Sequence, residues 1–171
     1  MSVQAINIQT NTYKPALGRD SNPALRQCVQ MPNSGRNYCL FDMNRVNYFV
    51  SQKEQALPYL KQVLQTSQDE AQIVEALYIV DRMIDNGVKG IPAMYPVFAR
   101  FNETKSPNIQ AFLAGIYRKT QVPDAFGPLV KMLIQNSNNP NQTPANEEIG
   151  GAILEYIKNY SNNPPKIDYT A

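Results

Sequence analysis

The chain has 171 residues, 43% of them apolar and 18% charged, a net charge of +2 and no histidine. A chain of that length fits one domain burying about 70% of its unfolded surface, and the charge is too small to argue by itself for nucleic acid or an anionic membrane. Without imidazole there is no Ser-His-Asp or Cys-His activation and no His-ligated zinc, and two cysteines fall short of the four ligands of a structural zinc site.

Residues 1–50 are rich in Asn, Gln, Pro and Gly and show no helical apolar period, which predicts an irregular N-terminal arm. The first residues carry no basic region followed by an apolar run, and no stretch approaches the roughly 20 apolar residues that cross a bilayer, so a cytoplasmic protein without membrane contact is expected. Within the arm, two short runs flank Pro32-Asn33-Ser34-Gly35, a hairpin pattern over residues 27–40 that sets Cys28 opposite Cys39. Cross-strand neighbours are near enough for a disulfide, whereas in a reducing cytoplasm the same pair would stay as thiols.

From Ser51 a helical pattern begins. Ser51-Gln52-Lys53-Glu54 has the spacing of a capping box, followed by an apolar stripe of Ala56, Leu57, Leu60, Val63 and Leu64. A second box, Ser67-Gln68-Asp69-Glu70, opens a helix with Ile73, Ala76, Leu77, Val80 and Ile84 on one face and Asn86-Gly87 as its stop.

This helical hairpin recurs. Its first helices carry proline at a matched place, Pro58, Pro96 and Pro128, which predicts a repeated kink. Its second helices align Ile73 with Ile109 and Ile149, Leu77 with Leu113 and Ile153, and Val80 with Ile116 and Tyr156. Ser106-Pro107 and Thr143-Pro144 read as N-cap and first helical residue of the later two. Beyond residue 160 the tail, 161–171, reads as disordered.

Leu57-Pro58-Tyr59-Leu60-Lys61-Gln62-Val63-Leu64, a polar loop and Ile73-Val74-Glu75-Ala76-Leu77 resemble the HEAT repeat of the armadillo-like α-solenoid family. The resemblance covers residues 52–160 as three degenerate repeats. It implies an all-α, right-handed stack of three helical hairpins over residues 51–160, with the arm covering one end. It departs from the family pattern early in the second helix, where Val74, Gln110 and Gly150 replace the usual arginine.

In the same register Arg82, Arg118 and Lys158 line up, pointing about 180° from the core stripe, with Glu75 and Tyr78 beside Arg82. Such a cation ladder would grip an acidic peptide or a phosphate-bearing ligand; the alternative is that these last-turn cations merely complement the helix dipoles. Tyr59, Tyr95, Phe98, Phe101, Tyr117 and Tyr156 read either as a stacking platform or as core, core being the commoner fate at helical spacing. No Gly-rich phosphate loop, Walker pattern or metal-ligand cluster stands in the sequence, so no cofactor, metal or catalytic residue is assigned.

These readings predict a non-catalytic protein-protein interaction or scaffolding module, with a protein or peptide partner and with homodimerisation through open apolar ends as a further option. A nucleic-acid-binding HEAT-like protein is the alternative, and a HEAT-like lyase a more distant one.

Overall fold

The computed structural model describes residues 41 and 43–162, the side chain of Pro144 excepted. The hairpin 27–40, with Cys28 and Cys39, and the tail past Asn162 lie outside the described residues. Every regular element among the described residues is helical: α1 (Met43–Ser51), α2 (Leu57–Thr66), α3 (Glu70–Asp85), α4 (Tyr95–Phe98), α5 (Pro107–Thr120), α6 (Phe126–Asn136) and α7 (Thr143–Asn162).

Helix α1 stands where the irregular arm was expected. It buries Val46 and Phe49, three residues apart on one face, against α3. Ser51 is therefore the end of α1 rather than the start of α2, and its hydroxyl donates back to the Tyr48 carbonyl at 2.6 Å. The capping box expected there does not form.

The entry to each first helix follows one plan. A 3-10 turn precedes it, Lys53–Ala56 before α2, Pro92–Met94 before α4 and Pro123–Ala125 before α6. The matched prolines, Pro58, Pro96 and Pro128, sit in the first α-turn, where the missing N–H costs little. A proline in that place removes no hydrogen bond from the interior of its α-helix.

The N-cap of α3 is Asp69, whose carboxylate accepts from the Ala71 amide at 3.0 Å; Ser67 instead accepts from the Asp69 amide. Helix α3 stops as its sequence predicts. Gly87 takes a left-handed φ of 72°, and the Val88 and Gly87 amides reach back to the Met83 and Ile84 carbonyls, the double bond of a Schellman stop. Ser106 caps α5, accepting from the Ile109 amide at 3.3 Å. Thr143 is no cap: its backbone is already helical and its hydroxyl donates to Pro140 in the preceding 3-10 turn.

The second helices lie side by side in chain order, α5 packing against α3 on one flank and α7 on the other. Helix α2 packs on α3, the 3-10 turn Ala99–Phe101 on α5, and α6 on α7, while α2 also touches the single turn of α4. One continuous core fills the space between, with Leu60, Leu77, Val80, Phe98, Leu113, Ile116, Leu129 and Ile149 all buried. The aligned stripe positions expected to face inward do so, Ile153 being partly buried.

Polar side chains tie the pairs together at the loop end. Gln110, buried in α5, donates to the Thr104 carbonyl at 2.7 Å and accepts from Asn136 of α6 at 2.7 Å. Asn136 also reaches Asn146 of α7 at 3.0 Å.

Candidate binding surface

The three cations of the expected ladder lie on the last turns of α3, α5 and the C-terminal half of α7, all at least partly open to solvent. Each has a carboxylate within reach: Arg82 is 3.8 Å from Asp85, Arg118 3.7 Å from Glu148, and Lys158 3.8 Å from Glu155. A fourth cation that sequence reasoning passed over, Lys119, lies 2.8 Å from both Asp81 and Asp85, joining α5 to α3. Partial burial works against its charge, but hydrogen bonds to the two aspartates outweigh it and raise its pKa above the ordinary lysine value. The face thus carries acids and bases alternately, and its cations bridge neighbouring helices or answer acids on their own.

Glu75 does not join that face. It is seven residues before Arg82 and so on the same side of α3, but α1 lies over the N-terminal half of the helix. There Glu75 is fully buried, accepting from the Arg45 guanidinium at 2.6 Å. The expectation of Glu75 as a surface partner of Arg82 is corrected: it is half of a buried ion pair that fixes α1 to α3. Tyr78 is partly covered, its ring stacked on Phe41 with centroids 4.2 Å apart and Phe112 of α5 edge-on to both. These rings close the outer seam between α3 and α5.

The aromatic residues weighed as a platform belong mainly to the core. Phe98, Phe101, Tyr117 and Tyr156 are buried, and Tyr59 and Tyr95 partly so. Their hydroxyls are spent internally: Tyr117 donates to Asn102 at 2.7 Å, Tyr95 to the Asp124 carbonyl at 2.8 Å and Tyr156 to the Val122 carbonyl at 2.7 Å. Burial pushes the Tyr117 and Tyr156 phenols well above their ordinary range.

What the ladder reading missed is apolar. Five residues beyond the aligned isoleucines of the second helices stand Tyr78, Ala114 and Leu154. Tyr78 is covered by Phe41 and Ala114 is buried, but Leu154 is 68% exposed. Ile157, one turn along α7, is 48% exposed, and Ile134 of α6 is 67% exposed. At 100° per residue Leu154 is about 160° from both Ala152 and Tyr156, which face the core. Among the described residues no packing accounts for an apolar residue there. The signal was present in the sequence, because Ile149, Ile153, Leu154, Tyr156 and Ile157 make α7 apolar on more of its circumference than one buried stripe needs.

Among the described residues no helix is long and apolar enough to cross a membrane, and no group of three His, Cys, Asp or Glu residues stands close enough to hold a metal ion. Compared with protein-family models, curated proteins and solved structures, the chain has no match.

Proposed function

We propose that the chain is a non-catalytic protein-interaction module, built as a HEAT-like, right-handed stack of three helical hairpins, which binds a protein partner through the apolar end formed by α6 and α7. Three observations support the architecture: the common 3-10 turn and first-turn proline at the head of α2, α4 and α6, the row of α3, α5 and α7 in chain order, and a core continuous through all the pairs. A stacked repeat buries its apolar face only against a neighbour, so the outer face of the last described pair, α6 and α7, is open unless something covers it.

The binding reading is carried by the exposure of Leu154 and Ile157, one turn apart on α7, with Ile134 exposed on α6 as well. Large apolar side chains grouped on the surface mark contact sites. An acidic peptide or a nucleic acid finds less support, since Arg82, Arg118, Lys119 and Lys158 each have a carboxylate within 4 Å.

A photo-reactive amino acid in place of Leu154 is expected to cross-link the chain to protein in an extract of the cells that make it, and the same residue in place of Arg82 is not. Adding Ile157→Glu should abolish the cross-link. Cross-links from the Arg82 position alone, or from neither position, overturn the reading.

A further inference from the structure

The exposed face of α7 has an order that says which partner fits it. Taking Leu154 as the centre line, Ile157 lies about 60° to one side, while Glu147 and Lys158 lie about 20° and 40° to the other. Along the helix Glu147 and Lys158 are 11 residues apart, or about 16 Å. An acid therefore stands at one end of the apolar strip and a base at the other, on the same edge.

We propose that this face pairs with the same face of a second copy of the chain, α7 against α7 antiparallel about a two-fold axis midway between Ala152 and Ile153. This rests on the reading of the α6–α7 end as a binding surface. A two-fold axis in the plane of the contact and across the helices reverses their direction and keeps each edge on its own side. Glu147 of each copy then meets Lys158 of the other, and both ion pairs bracket the apolar strip. Leu154 comes level with the partner copy's glycine pair, Gly150 and Gly151, where Gly150 leaves open space: a Cβ built there meets nothing within 4 Å. Ile157 falls on the opposite edge and widens the apolar contact. Glu147 has no cation within 4 Å among the described residues, and Lys158, 68% exposed, lies 3.8 Å from Glu155 on its own helix, so both extend to where a partner copy would meet them. A parallel arrangement would instead set Glu147 on Glu147 and Lys158 on Lys158, which like-charge repulsion disfavours.

Sedimentation equilibrium on the purified full chain tests this. The chain should form a dimer, and Leu154→Glu should leave it monomeric with unchanged far-ultraviolet circular dichroism. Glu147→Lys and Lys158→Glu should each weaken the dimer about tenfold, and the two together should restore most of the loss, because the swapped charges again face one another. A chain monomeric at every concentration, or a double reversal no tighter than the single ones, overturns the pairing. If the purified chain is monomeric but the Leu154 cross-link to another protein persists, self-pairing fails and the binding reading stands; if both are lost, both fail.

Discussion

Replacing Asn136 with alanine removes the one side chain that touches both Gln110 of α5 and Asn146 of α7. Asn136 is 6% exposed and its amide donates to Gln110 at 2.7 Å and to Asn146 at 3.0 Å. A net hydrogen bond contributes about 1 kcal/mol, and leaving the Gln110 oxygen buried without a donor costs a further 1–3 kcal/mol or so. The expected loss is about 2–4 kcal/mol, a fall in Tm of about 5–15 °C for a domain of this size, read by urea and thermal unfolding followed by circular dichroism. Gln110→Leu alone should cost a similar amount by stranding the Thr104 carbonyl and the Asn136 amide. The pair Gln110→Leu with Asn136→Leu should lose less than the sum of the two, by about 1 kcal/mol or more, since both ends of the central bond go together. An Asn136→Ala loss within about 0.5 kcal/mol of zero, or a double mutant that is strictly additive, refutes the reasoning that these amides hold the second and third helical pairs together.

Stability should be flat toward alkaline pH and then fall. The folded pKa values of Tyr117, Tyr156 and Lys119 are raised, so their stabilisation is complete below the unfolded values, about 10 for Tyr and 10.4 for Lys, and is lost above them. Urea unfolding across that range should show the fall, at about 1.4 kcal/mol per pH unit for each tyrosine, and Tyr156→Phe should make it shallower. Gly87→Ala should destabilise by about 1 kcal/mol, because φ is 72° there. Gly150→Ala, inside α7 with open space for a Cβ, should stabilise the folded chain by about 0.5–1 kcal/mol; thermal unfolding of both variants checks the opposite signs. The double variant Arg82→Ala, Arg118→Ala should change stability by no more than about 1 kcal/mol per pair and leave the Leu154 cross-link in place.

The helices that bury a regular stripe were legible in the sequence. Leu60, Val63 and Leu64 on α2, and Ile73, Leu77 and Val80 on α3, face the core where the period put them. Helix α1 was not legible, because Asn44, Arg45 and Asn47 interrupt its period and two of its anchors are distant in sequence: Arg45 meets Glu75, and Val46 and Phe49 enter the common core. The same contact explains the error over Glu75, since helical geometry places a residue on a face of its own helix but does not say what covers that face. Caps show the same limit at short range. Ser67 and Asp69 both suit an N-cap, and where the chain leaves α2 decides between them, Ser67 ending α2 with its amide on the Val63 carbonyl. Arg82, Arg118 and Lys158 lie on their helices where the register put them, but the acid beside Arg118, Glu148 of α7, comes from a neighbouring helix, and so does Asp81 of α3 beside Lys119, which the register did not single out.

The order of the second helices, α3 then α5 then α7, makes α7 the last of the described helices, with Leu154 68% exposed on its outer side. Spin labels in place of Arg82, Arg118 and Lys158, taken in pairs and diluted with unlabelled chain, measure it directly. Packed helices lie about 8–10 Å apart, so the Arg82–Arg118 and Arg118–Lys158 distances should be similar and the Arg82–Lys158 distance clearly longest. An Arg82–Lys158 distance as short as the other two would mean that the helices close into a bundle with no open end, and would contradict the account.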